Sequence, residues 1–237
     1  MPSRPKPQLI DTFAEAIYMR CTRLIVTADD LHWLDAALRS VAGYASSVIG
    51  CDAEVGVERR LNEEETPDGR PGAAVLAFGF SADGLGKAIA NRVGQCLMTA
   101  PTASVFDGMP DEPKRLSLGR RLRYFGDGFQ KSKQIDGARS WRVPVMDGEF
   151  WVADEIGFRP GIGGGNLIFQ SRERSEGLAA ARGVVEAIAP LVGTITPFPG
   201  GIARSGSKVG SRYPGLVAST ADAYCPTLRG RTASVLH

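Results

Sequence analysis

From Cys21 to Cys96 the apolar spacing switches back and forth between strand-like runs and helical periodicity. This alternation confines the chain to a mixed α and β fold. CTRLIVTA (residues 21–28) is a β-rich run. Asp29 or Asp30 can cap the helix that follows, through about Val41, with Leu31, Leu34 and Leu38 on one face. SSVIGCDAEVGV (46–57) and AAVLAFGF (73–80) read as strands, and the loop EETPDGRPG (64–72) lies between them. Asp83 opens a second helix with Leu85, Ile89, Val93 and Cys96 inward. A long Gly- and Pro-containing segment then reaches SWRVPVM (140–146), an edge-type strand because Pro144 cannot donate to a ladder. The order is βαββαβ, the ferredoxin-like split pattern.

After residue 147 the pattern starts again. GEFWVADEIGF (148–158) reads as a connecting strand and GNLIFQSR (165–172) as a strand. Residues 175–189 read as a helix that buries Leu178, Val184, Val185 and Ile188 and that Pro190 ends. LVGTITPF (191–198) is the next strand, and a second βαβ half is not seen. The expectation is an α+β protein of two ferredoxin-like lobes, residues 1–147 and 148–237, the second incomplete.

Composition excludes several function classes. Hydrophobic residues make up 43% of the 237 positions, enough to bury a core. The net charge of +2 is too even to indicate nucleic-acid binding. No apolar run approaches the roughly 18 residues a membrane helix needs. MPSRPKPQ leads into no apolar stretch, so no signal peptide is read. Four cysteines without a CxxC fit reduced thiols in a cytoplasmic protein.

Two glycine motifs fail on inspection. GIGGGN (161–166) precedes a strand rather than a helix, which fits a tight turn better than a dinucleotide fingerprint. GIARSGSK (201–208) lacks the Gly-Lys-Ser/Thr order of a phosphate loop, although Lys208 can still meet an anionic group. The two histidines, His32 beside Trp33 and the terminal His237, supply no base for a nucleophilic triad and no zinc ligand set. Long polar loops remain, at 99–110, 197–211 and 218–227, and loops of this length in compact domains are usually functional or disordered.

The same loops carry a family likeness. DTFAEA (11–16), EETPDGRPG, GQCLMTAPTASVFDGMP (94–110), FGDG (125–128), GEF (148–150), PFPGG (197–201), SKVGS (207–211) and DAYCPT (222–227) run in order along the chain. In these runs the sequence resembles the formylmethanofuran:tetrahydromethanopterin formyltransferases, from about Leu9 to Thr227, short of that family's C-terminal end. The even charge resembles a bacterial rather than an archaeal member. The resemblance implies a cytoplasmic homotetramer with an N-terminal proximal and a C-terminal distal lobe. It implies no bound cofactor and no metal, with methanofuran and tetrahydromethanopterin as substrates in one-carbon metabolism. It also implies a possible formyl-hydrolase complex as partner, and no nucleic acid or membrane.

Within the matching loops, Thr102, Ser104, Asp107, Ser207, Lys208, Asp222 and Tyr224 are the expected substrate-binding residues. No catalytic residue is carried over, because the family's acidic residue lies beyond the last position of this sequence. The family's sheet order, 4-1-3-2, puts a third strand between the first and second. The second-lobe strands at 165–172 and 191–198 are therefore expected to lack a neighbour. The alternative is a catalytically inactive, truncated subunit that serves as an interaction module in a formyltransferase/hydrolase complex.

Overall fold

The computed structural model describes residues 8–9, 16–44, 46–48, 50–135, 137–204, 225–228 and 230–231. Its centre is the long strand β1 (Ile17–Thr27). β1 is followed by helix α1 (Leu31–Ala42), β2 (Glu54–Leu61), β3 (Gly72–Gly79), helix α2 (Ala82–Arg92) and β4 (Ser104–Asp107). The spatial order is β2-β3-β1-β4, and β1 runs antiparallel to both of its neighbours. Each helix begins at a short polar cap, Asp30 accepting from the Trp33 N–H and Ser81 from the Gly84 N–H.

Alternation along β1 builds two cores. Leu24 and Val26 face the helices and pack with Leu34, Leu38, Leu85 and Ile89. Met19 and Cys21 point to the other side, where Leu76, Phe78 and Met109 form a smaller cluster with Val48 and Ile195 packed on it.

The sheet continues beyond β4. The single Val105–Val152 pairing joins β4 in parallel to β8 (Gly148–Ala153), and β8 pairs with β7 (Ala138–Val145) and β7 with β6 (Lys131–Ile135) in an antiparallel meander. β9 (Glu155–Gly163) turns back along the first half of β1 and also pairs with β5 (Arg115–Ser117). A four-residue helix, α3 (Gly119–Leu122), lies between β5 and the meander.

Several sequence expectations change, beginning with β1, which starts at Ile17 rather than Cys21. The strand completing the first βαββαβ unit is 104–107, inside the expected loop, and not 140–146. Four residues flanked by Gly and Pro carry no readable period; the free edge of β1 at Leu24–Thr27 makes them a strand. Residues 140–146 instead belong to the meander, where Pro144 lies past the last β6 partner and its missing N–H interrupts no ladder there. β2 begins at Glu54 rather than Ser46, and the run 148–158 is two strands rather than one connecting strand.

The largest change is in residues 164–204. Helix α4 (Arg174–Ile188) forms where expected, but Ala181 is its one buried residue and Leu178 is exposed. Neither 165–172 nor 191–198 forms a strand among the described residues. A strand is held by its ladder and by packing against same-face neighbours, and no described segment pairs with either run. Part of 191–198 does something else. Ile195 lies against Gly56 on the open face of the first sheet, and the Gly193 N–H donates to Glu58 Oε1 at 2.5 Å.

Candidate active site

Four pieces of chain meet at one end of β1: the start of α1, the loop before β3, the loop before β4 and the β7–β8 turn. They enclose a polar cavity of about 80 Å³ that includes Asp29, Arg70, Met98, Thr102, Asp147 and Glu149. The loop before β4 owes its path to the end of α2. There the helix widens into a five-residue π-turn (Val93–Leu97), closed by the Met98 N–H on the Val93 carbonyl at 2.8 Å. Such widened turns frequently occur at functional sites.

Thr102 sits in the left-handed region at φ +61°. A β-branched residue is rarely found there, and such a conformation costs on the order of 1–3 kcal/mol and persists only where the surroundings over-determine it. Here they do. Its N–H donates to Asp147 Oδ2 at 2.5 Å, its carbonyl accepts from Arg70 Nη1 at 2.7 Å, and its Oγ1 accepts from the Asp29 N–H at 3.1 Å.

Arg70 is the hub. Its Nε donates to Asp68 at 2.9 Å and its Nη1 to Asp29 at 2.7 Å and to the Thr102 carbonyl. Its Nη2 donates to Ser104 Oγ at 2.7 Å and to Thr27 Oγ1 at 3.2 Å, so all five guanidinium N–H groups have acceptors. Burial works against its charge, but the hydrogen bonds it donates to Asp29 and Asp68 outweigh that and raise its pKa above the ordinary arginine value.

The expected site residues separate into groups. Thr102 lines the cavity. Ser104 is fully buried behind Arg70 and reaches the cavity only through it. Asp107 is turned to a different task. One carboxylate oxygen pairs with Arg115, and the other accepts the Met109 and Gly157 N–H groups at 2.9 and 3.0 Å. Gly157 must be glycine, because a Cβ there would run into the Met109 carbonyl. Ser207, Lys208, Asp222 and Tyr224 lie outside the described residues.

Sequence reasoning missed Arg70 and Asp147 as site residues. Arg70 lies within the turn-rich run 64–72, where an arginine gives no pattern of its own. Among the described residues no group of three or more His, Cys, Asp or Glu is placed to hold a metal ion.

A second buried charge lies on the open face of the sheet. Glu58 forms a two-pronged pair with Arg23 at 2.6 and 2.7 Å and accepts the Gly193 N–H. Burial raises the Glu58 pKa, but the bonds from Arg23 and Gly193 outweigh it and hold the carboxyl below its usual value. The nearby Cys21 thiol is pushed up to about 11, chiefly by burial, which makes it unreactive.

An α+β protein with one large mixed sheet and a polar, arginine-centred site beside β4 is what the fold and site define. The family model described as formylmethanofuran-tetrahydromethanopterin formyltransferase matches residues 6–145, and the model described as its proximal lobe matches 148–237. The word proximal thus falls on the second of the two lobes. A Methylobacillus flagellatus protein of the same description is 50% identical over 229 residues, covering 95% of this chain and 76% of the relative. The fold is similar to that of one chain of the Methylorubrum extorquens formyltransferase/hydrolase complex with methylofuran, at TM-score 0.89 and 48% identity over 97% of this chain and 76% of that one. It is also similar to that of the Methanosarcina barkeri formyltransferase, at TM-score 0.86 and 40% identity over 94% of this chain and 76% of that one. The chain belongs to the formylmethanofuran–tetrahydromethanopterin formyltransferase family, and it spans about three quarters of the length of these relatives.

Proposed function

We infer that this chain is an N-formyltransferase that moves a formyl group between methanofuran, or an analogue, and N5 of tetrahydromethanopterin. The observation that carries this is the pair of family matches, which together run from residue 6 to 237 with a gap of two positions. The donor is a formamide. Attack by the acceptor amine forms the new C–N bond and a tetrahedral oxyanion; the donor C–N bond then breaks, and the proton lost by the acceptor nitrogen goes to the departing amine. Such a step is accelerated by holding the two carriers together and by donors aimed at the oxyanion.

Thr102 is the substrate contact best supported by geometry, since it lines the polar cavity. Ser104 supports it from behind through Arg70, whereas Asp107, held by Arg115 and two backbone N–H groups, stands apart from the cavity and keeps its place in the set on the family motif alone. Ser207, Lys208, Asp222 and Tyr224 complete the carrier-binding set on the strength of the family motifs alone. The first lobe is a ferredoxin-like unit, a reading supported by the order β2-β3-β1-β4 and the two crossing helices. The enzyme uses no bound cofactor and works in the cytoplasm as a homotetramer, as the resemblance implies. Its partners are the other components of a formyl-hydrolysing complex. That reading is supported by the M. extorquens relative, which is 49% identical and is described as one of the subunits of a formyltransferase/hydrolase complex.

The test is direct. Purified protein is mixed with formylmethanofuran and tetrahydromethanopterin, and the 5-formyl product is followed. Product formation that saturates with both carriers is expected. Formyl release to water without transfer would contradict the assignment.

A further inference from the structure

The carbonyl, N–H and hydroxyl oxygen of Thr102 are all engaged, yet its hydroxyl hydrogen has no acceptor among the described residues. A hydroxyl carries one donor and two acceptor sites. With an acceptor site filled by the Asp29 N–H, the O–H bond is left to swing toward the cavity that Thr102 lines. We propose that Arg70 and Asp147 are positioning residues that hold Thr102 in its left-handed conformation, so that its free O–H meets the formyl oxygen of the bound carrier. This rests on the reading of Thr102 as a substrate contact.

The two act from opposite sides. Asp147 comes from the β7–β8 turn and takes the Thr102 N–H; Arg70 comes from the loop before β3 and takes its carbonyl. Together they clamp one peptide unit on each side of the strained residue. Arg70 also fixes Asp29, whose backbone N–H orients the hydroxyl. A lysine offers three donors from one nitrogen and cannot span Asp68, Asp29, Ser104, Thr27 and the Thr102 carbonyl at once.

The experiment is a set of double-mutant cycles on the full chain, with Thr102→Ala, Arg70→Lys, Asp147→Ala and the two pairs that combine Thr102→Ala with each of the others. The readouts are kcat/KM for formyl transfer, calorimetric Kd for formylmethanofuran, and Tm. Thr102→Ala should lower kcat/KM about 100-fold, the loss typical of one oxyanion donor. Arg70→Lys and Asp147→Ala should each lower it by a comparable factor, mostly in kcat. Each double variant should fall within about twofold of Thr102→Ala alone, because residues acting through one group do not add. Thr102→Ser, which keeps the hydroxyl, should restore most of the rate.

Losses that multiply in both double variants would overturn the positioning role and leave Thr102 as a contact. Wild-type kinetics and binding in Thr102→Ala would overturn both. Should Arg70→Lys not fold, the cycle with the exposed Asp147 decides. Where turnover is too slow to measure, the same cycle is read in Kd.

Discussion

β1 and residues 165–172 look alike as sequence, since each concentrates Leu, Ile or Phe over a strand-like length. In the structure they have opposite fates. β1 lies between β3 on one side and β4 and β9 on the other, with Leu24 and Val26 fully buried. Residues 165–172 pair with no described segment, and Leu167, Ile168 and Phe169 remain exposed. The helices repeat the contrast. α1 buries Leu34, Ala37, Leu38 and Val41, whereas the longer α4 buries only Ala181. Composition nominates an element; a ladder partner and a facing layer fix it.

Breaking the packed region should have the largest effect. Leu24→Ala should cost about 2–5 kcal/mol in urea unfolding, because it opens a cavity between the sheet and both helices. A cost below about 1 kcal/mol would mean that this core is not close-packed.

Glu58→Gln should cost less, about 1–3 kcal/mol, by leaving Arg23 with a weaker partner and Gly193 with a neutral acceptor. The Glu58 carboxyl has a folded pKa below its ordinary value. Its contribution is therefore complete above the unfolded-state pKa of about 4.3 and is lost as pH falls through the folded value. Tm of the wild type should drop across that acid range more steeply than Tm of Glu58→Gln. Parallel acid profiles would show that the Arg23 pair does not persist in solution. Because Gly193 belongs to the loosely packed region, this variant also tests the contact between the two regions.

Leu178→Ala should change stability by no more than about 0.5 kcal/mol, since half of the side chain is already exposed. A cost of about 2 kcal/mol or more would place α4 in a packed core and collapse the contrast. A thiol count sharpens the same point. Cys51 and Cys96 are partly accessible and should react with iodoacetamide at pH 8, while the buried Cys21 should not until the protein is unfolded. Rapid alkylation of Cys21 in the native state would mean that its cover, with Ile195 among the residues packed there, is open.

The sequence made β3 and both helices of the first lobe legible, because each is long enough to show a period and begins at a recognisable turn or cap, and it made β1 legible from Cys21 onward, four residues past its start at Ile17. β4 was not legible, because its four residues are a strand only through the edge of β1. The meander was half legible: β7 and β8 fall in runs that read as strands, but β6 lay inside the Gly- and Pro-containing segment and the pairing partners could not be seen. Of the site, Thr102 was found by family motif. Its left-handed backbone, the five-bond role of Arg70 and the reach of Asp147 from the β7–β8 turn to the loop before β4 depend on contacts far apart in sequence, which no local pattern encodes. The even net charge also hid a local feature: Arg120, Arg121 and Arg123 precede Tyr124, Phe125 and Phe129, all three exposed, and Lys131 and Lys133 follow them.

The most direct test of the proposed site is amide hydrogen exchange with and without saturating formylmethanofuran. Without it, the amides of β1 and β3 should exchange slowest and those of 164–204 fastest, following the difference in packing. With it, exchange should slow at Ala100 to Ser104 and at Asp147 to Glu149, the two stretches that face each other across the cavity. Slowing confined to other parts of the chain, with these amides unchanged, would contradict a substrate site at Thr102.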